Sequence, residues 1–184
     1  MDPRIQRTRD AVLSAALSVL AERGFGNFAM EVVAEVAGVA KSTVYRHWPT
    51  KLSLLRDALE ELNRQPGAEL ERGTARTRVE RLLEHLAVAL SDSVFSACIP
   101  ALVEAAEREP EVAEFLHQYS DRRRSALTAV IRKGIDAGEL PAHLDPELAA
   151  LALSGPIFYR RLMTANPLPA GDVPSLVRQV LGPA

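Results

Sequence analysis

The stretch AMEVVAEVAGVAKSTVYRHWPTK, residues 29–51, constrains the fold more than any other part of the chain. Its spacing predicts one short helix over about 30–37 and a second over about 41–48, with a sharp turn at Gly38, where a side chain would be costly. Val44 and Trp48 are four residues apart, so both are expected to face inward from the second helix. The pattern is typical of a helix-turn-helix, whose second helix enters the major groove of DNA.

The outward positions of this second helix carry hydrogen-bond donors and no acid, which favours contact with phosphates and base edges. Six residues share this face and are expected to contact DNA: Lys41, Ser42, Thr43, Tyr45, Arg46 and His47. Each is also a common surface residue when taken singly, but the set is unusual. Arg46 or Lys41 suits guanine edges, and the Tyr45 hydroxyl suits a phosphate. Lys51 begins the next helix, where an ammonium group and a helix N-terminus together favour a phosphate.

These residues carry a family resemblance. The segment VAKSTVYRHWPTKLSLL is similar to the end of the DNA-binding domain of TetR-type transcriptional repressors, in which a Thr and a Tyr lie on the recognition helix, an aromatic residue follows, and a Lys begins the next helix. GFGNFAMEVVAEVAGVA resembles the preceding part of that domain, so the resemblance covers roughly Arg4 to Leu62. Near the other end, DPELAALALSGPIFYRRLMT resembles one subgroup of the same family.

The resemblance implies a homodimer on a palindromic operator and a small-molecule effector inside the C-terminal bundle. In that family the last two helices form a four-helix dimer interface, for which the candidates here are Leu151, Phe158, Leu162, Leu176 and Val180. The candidates for the effector pocket are Leu86, Phe95, Ile99, Leu102, Phe115, Tyr119 and Tyr159. Each pocket candidate is equally well explained as an ordinary core residue.

Helical periodicity runs through the rest of the chain and no strand pattern occurs, which predicts an all-α protein of about nine helices in two bundles. We expect a three-helix DNA-binding domain over residues 4–64, with the helix-turn-helix at about 29–48, and a dimerisation and ligand-binding domain over 74–184. Gln65-Pro66-Gly67 marks the boundary. Pro100 suits a first helical position, so a short helix is expected to begin there. Asp145 and Pro146 together predict another helix start.

The charge distribution agrees with a head that contacts DNA. Residues 1–56 hold eight basic and five acidic residues, a formal charge of +3, whereas the remainder holds 14 basic and 19 acidic residues, or −5. The single Cys98 excludes an internal disulfide and any cysteine-rich metal site. The N-terminus has no apolar signal-peptide core and no apolar run is long enough to span a membrane, so we expect a cytoplasmic protein.

The sequence therefore predicts a homodimeric, sequence-specific transcriptional regulator, a repressor that a small molecule releases from DNA. A second possibility is a DNA-binding regulator without an effector, whose C-terminal bundle serves only to dimerise. A third class, an enzyme that uses Cys98 or one of the four histidines, would need polar groups converging in a cleft. No P-loop, GxGxxG, GxSxG or HExxH pattern is present, so we expect no catalytic residue, metal or cofactor.

Overall fold

The computed structural model describes residues 3–62, 72–91 and 93–183, and the regular structure in these ranges is entirely helical. Nine α-helices and one 3-10 turn follow in order: α1 Pro3–Arg23, α2 Met30–Val36, α3 Lys41–His47, α4 Lys51–Leu62, α5 Ala75–Ser91, α6 Val94–Ala106, α7 Pro110–Asp136, α8 Pro146–Met163, the turn Ala170–Asp172, and α9 Val173–Leu181. The predicted all-α class is confirmed within these ranges. The predicted boundary at Gln65-Pro66-Gly67 lies outside the described residues.

The chain forms two compact units. The first contains α1 to α4 together with Ala97–Leu116, and the second contains the remaining described residues. The compact units therefore differ from a division at 4–64 and 74–184 in one segment, which ends α6 and begins α7. Within the first unit the fully buried thiol of Cys98 donates a hydrogen bond to the carbonyl oxygen of Leu17, 3.4 Å away, which ties this segment to α1.

Helix α1 presents a wholly apolar face to the core of the first unit. At most 5% of each residue on this face is exposed: Val12, Leu13, Ala15, Ala16, Leu17, Val19 and Leu20. The face packs against α2 and α4, and each large side chain buried in this way contributes about 2 kcal/mol. Gly24 ends the helix with φ +71°, and its N–H donates to the Leu20 carbonyl oxygen at 3.0 Å.

The helix-turn-helix has the predicted geometry. Gly38 takes φ +67°, and the Val39 N–H returns to the Ala34 carbonyl oxygen at 3.0 Å. Helix α3 is two turns long and buries Val44, while Trp48 follows it with 3% of its surface exposed. Thr50 and Ser53 then cap α4 reciprocally, because each backbone N–H donates to the other's hydroxyl oxygen at 3.1 Å.

The predicted helix start at Pro100 is wrong, because α6 begins at Val94 and contains Pro100. The Ser93 hydroxyl oxygen accepts from the Ser96 N–H at 3.1 Å and so caps the true start. Proline cannot donate to the carbonyl four residues earlier, which here belongs to Ser96. Arg161 of α8 supplies the missing donors instead: its Nη2 lies 2.8 Å from the Ser96 carbonyl oxygen, and its Nε donates to the Ser96 hydroxyl.

The start of α8 is confirmed. The Asp145 carboxylate accepts from the Leu148 N–H at 2.8 Å, and Pro146 occupies the first helical position. Buried residues line one side of this helix: Ala149, Ala150, Leu153 and Ile157. The opposite side is described with the candidate sites below.

Within residues 3–62, 72–91 and 93–183, no single helix is both long and apolar enough to cross a membrane. Helices α5 and α6 reach the required length and hydropathy only when they are counted together.

Candidate nucleic-acid interface

Helix α3 separates its side chains into an outward set and two buried anchors. Lys41, Ser42, Tyr45, Arg46 and His47 are exposed and Thr43 is partly exposed, whereas Val44 and Trp48 are buried. The helix has no acidic residue. The six residues that the sequence proposed for DNA contact thus lie together on the part of the helix that is not anchored to the core, and their contacts with DNA stay a prediction.

The hydroxyl group of Tyr45 has a partner that the sequence did not reveal. It donates a hydrogen bond to the Glu31 carboxylate on α2 at 2.8 Å. The same bond raises the pKa of Tyr45 and is the largest cause that lowers the pKa of Glu31. A phosphate that uses this hydroxyl would have to replace Glu31 as the acceptor. Fourteen residues separate the two side chains, so no helical spacing could have indicated the pair.

Lys51 lies close to Tyr45. Both residues line a surface depression of about 460 Å³, bordered also by residues 26–31 and 49–50. The Lys51 ammonium nitrogen lies 5.3 Å from the centroid of the Phe25 ring, which is a cation–π contact. The depression therefore brings together the two residues that the sequence predicted to hold phosphates.

A second depression of about 510 Å³ joins the start of α1 to the other side of α3. Its polar lining is basic or neutral: Arg4, Thr8, Arg9, Thr43, Arg46 and His47. The lining also includes apolar side chains, among them Ile5, which is 53% exposed. Arg4 and Arg9 of α1 thus line the same depression as Thr43, Arg46 and His47 of α3.

The seven pocket candidates divide between the two units. Ile99, Leu102 and Phe115 are buried in the first unit, at 6% exposure or less. In the second unit Phe95 and Tyr119 are buried and Leu86 is half-buried. Tyr159 is 63% exposed on α8, so it differs from the other six and belongs to the surface of the isolated chain.

Two polar atoms inside the second unit have no hydrogen-bond partner among the described residues: Nε2 of His85 on α5 and Oγ1 of Thr128 on α7. Burial, and then the nearby positive charge of Arg123, lower the pKa of His85, so this imidazole is neutral near pH 7. Burial raises the pKa of the Cys98 thiol to about 12, so the thiol stays protonated near pH 7.

The five interface candidates are all accessible to some degree. Leu151 is 51% and Leu162 is 39% exposed, while Phe158, Leu176 and Val180 are half-buried. The sequence missed further apolar residues that are exposed on α8: Leu148 at 66% and Met163 at 71%. Together with Leu151, Tyr159 and Leu162 they lie on one face of α8, in two groups that the small exposed residues Ala152 and Gly155 separate. We call these five residues the α8 stripe.

Comparisons with known proteins agree with this architecture. A family model described as bacterial regulatory proteins, tetR family, matches residues 12–58, and one described as the tetracyclin repressor-like C-terminal domain matches residues 69–180. The uncharacterised HTH-type transcriptional regulator YdeS of Bacillus subtilis is 31% identical over 176 residues, which are 95% of this chain and 88% of that protein.

Two solved structures have the same fold. A crystal structure described as a TetR-family transcriptional regulator from Rhodococcus sp. matches with a TM-score of 0.76 at 25% identity, over 96% of this chain and 100% of that one. The transcriptional regulator FadR from Bacillus subtilis, solved in complex with stearoyl-CoA, matches with a TM-score of 0.75 at 20% identity, over 94% and 97%. The sequence resemblance is thereby confirmed, and this chain belongs to the TetR family of transcriptional regulators.

Proposed function

We propose that two copies of this chain form a homodimer that binds a palindromic operator and represses transcription there, in the cytoplasm. The observation that carries the proposal is the outward face of α3, where each exposed side chain can donate a hydrogen bond and none is acidic. Val44 and Trp48 anchor that face to the head. Two such helices about 34–36 Å apart would reach successive major grooves on one side of the DNA.

The residues of the face divide by chemistry. Arg46 or Lys41 would read guanine, since their donors match the O6 and N7 acceptors. Tyr45 and Lys51 would hold phosphates, and the depression they share supports that assignment. Phosphate contacts fix the register of the head on the duplex, whereas the base contacts supply the sequence preference.

The α8 stripe supports the homodimer. Several large apolar side chains exposed on one helix face are typical of a protein interface. A two-fold axis would set the stripe against its own copy, together with Phe158 and with Leu176 and Val180 of α9. We therefore assign Tyr159 to the dimer interface and remove it from the pocket candidates.

Release by an effector is the second part of the proposal. FadR from Bacillus subtilis was solved with stearoyl-CoA, and we propose that a ligand of this chain occupies its C-terminal domain. Leu86, Phe95 and Tyr119 supply apolar surface in the second unit, and His85 and Thr128 supply polar atoms that have no partner in the described part of the chain. An effector with an apolar body and one or two hydrogen-bonding groups fits these residues. To release DNA it must bind the two head spacings unequally.

The test begins with the purified full-length protein and a labelled fragment of the DNA upstream of its own coding sequence. Binding is measured at two salt concentrations beside an unrelated fragment of equal length. Selective binding by a dimer is the expected result, and equal affinity for every fragment of the surrounding genomic region would contradict the proposal. Small molecules are then screened for release of the bound fragment. Failure of every compound class to change operator affinity would favour the alternative, a regulator whose C-terminal bundle only dimerises.

A further inference from the structure

One carboxylate in the head joins three helices. Oδ2 of Asp57, on α4, accepts a hydrogen bond from Nη2 of Arg9 on α1 at 2.6 Å and another from Nε1 of Trp48 at 3.0 Å. The guanidinium carbon of Arg9 also lies 5.3 Å from the centroid of the Trp48 ring. These three side chains form a closed set of contacts at the end of the recognition helix, which we call the Asp57 clamp.

We propose that Asp57 is a positioning residue for operator recognition, which acts by holding the end of α3 through Trp48. Trp48 is the C-cap of α3, and its backbone N–H donates to the Val44 carbonyl oxygen at 2.9 Å. A helix of two turns is marginal on its own, so contacts with the scaffold decide its orientation. Arg46 and His47 directly precede Trp48 in the chain, so a shift of the indole moves both side chains relative to the groove.

Asp57 does not fit a direct contact with DNA. A carboxylate is repelled by phosphates, and this one already accepts two donors while only a third of its side chain is exposed. Its position instead satisfies the indole N–H of a buried Trp, which would otherwise have no acceptor. A charged acceptor makes both bonds stronger than an amide would.

The clamp has a second consequence, for specificity. Arg9 lines the basic depression beside α3, together with Arg4 and Arg46. Asp57 neutralises Arg9 in the free head, so loss of the carboxylate would release a positive charge next to the DNA surface. Released charge strengthens binding to all DNA alike, while a misplaced α3 weakens binding to the operator alone. Both effects lower the ratio of specific to non-specific affinity.

The experiment compares the full-length D57N variant with wild type on the operator fragment and on an unrelated fragment of equal length. We expect operator affinity to fall about tenfold, with affinity for unrelated DNA unchanged or raised. The matched control is D121N, which removes an arginine contact of similar length, 2.7 Å from Arg124, on α7; it should leave both affinities unchanged. Trp48 is the only tryptophan of the chain, so its fluorescence reports the clamp directly.

The proposal rests on α3 being the DNA-reading helix, and the two can fail separately. Wild type without operator preference would remove the basis for both, whereas a selective wild type and an equally selective D57N would overturn the clamp alone. Equal loss on both fragments would also overturn it, because that is the signature of a merely destabilised head. If D57N does not fold, W48F removes the indole donor together with part of the buried ring and must show the same loss of the specificity ratio, and D57E must restore part of it.

Discussion

Lys51 permits a quantitative test of how the head meets DNA, because its predicted role fixes a salt dependence. It is exposed at the start of α4, and no carboxylate lies within ion-pair distance of its ammonium group among the described residues. Each phosphate neutralised by a lysine contributes about 0.9 to the slope of log affinity against log salt. Two heads in a dimer contribute about 1.8, so K51A should lower the slope by that amount on any DNA sequence.

The difference in slope between wild type and K51A also gives the change in their relative affinity across a range of salt concentrations. Between about 50 and about 200 mM KCl, a fourfold range, the advantage of wild type over K51A should shrink by roughly tenfold. Fluorescence anisotropy with operator and unrelated fragments across this range measures both slopes. The control is K133A, which removes the same charge from the last turn of α7 and should leave the slope unchanged. A slope that is the same in K51A and wild type would refute the phosphate contact.

Three further predictions concern the turn, the dimer and the base contacts. G38A should lower the free energy of unfolding by about 1 kcal/mol in a denaturant titration. A Cβ at Gly38 would meet open space, so the cost comes from the positive φ alone. The control G26A, where a Cβ also meets open space and φ is not positive, should lower the free energy of unfolding by less. L151E should shift the dimer to monomer in analytical ultracentrifugation, while V88E, at an exposed valine of α5, should not. R46A should relax preference by about tenfold at one base pair; equal loss on every operator variant would contradict its base-reading role.

The head was predictable because its signals are local. In the head, Gly24 and Gly38 lie between helices and have positive φ, a conformation that a residue without Cβ adopts at little cost. The Thr50 cap and the spacing of Val44 and Trp48 are likewise readable from a few neighbouring residues. Helix ends and turns that depend on neighbouring residues change little when the helices pack together.

The error at Pro100 has a non-local cause. Proline at the first turn of a helix is common because its missing N–H is not needed there, and no neighbouring residue argued against that reading. The proline is tolerated inside α6 because Arg161, 65 residues away, donates to the Ser96 carbonyl oxygen. A side chain that distant in sequence cannot be assigned to a single backbone group before the packing is known.

The two faces of α8 likewise show that sequence periodicity alone cannot identify a binding surface. Its composition is apolar nearly all round, so periodicity predicts burial on more than one side without saying which side meets the chain's own core. The structure separates them: Leu153 and Ile157 are buried within the unit, and Leu148 and Leu151 are exposed. Leu148 and Leu151 are therefore candidates for contact with a second copy of the chain, and Tyr159 joins them because it is exposed too.

The recognition helix depends on residues outside its own exposed face. Helix α3 has seven residues, fewer than an isolated helix needs to be stable in water. It keeps its shape because Val44 and Trp48 are buried beneath it and because Asp57 and Arg9 fix the indole. A base contact needs its donors placed to within a fraction of an ångström. With the proposed clamp, sequence preference in this head depends on α1 and α4 as well as on α3, so substitutions at Asp57 should lower that preference without removing any side chain predicted to contact DNA.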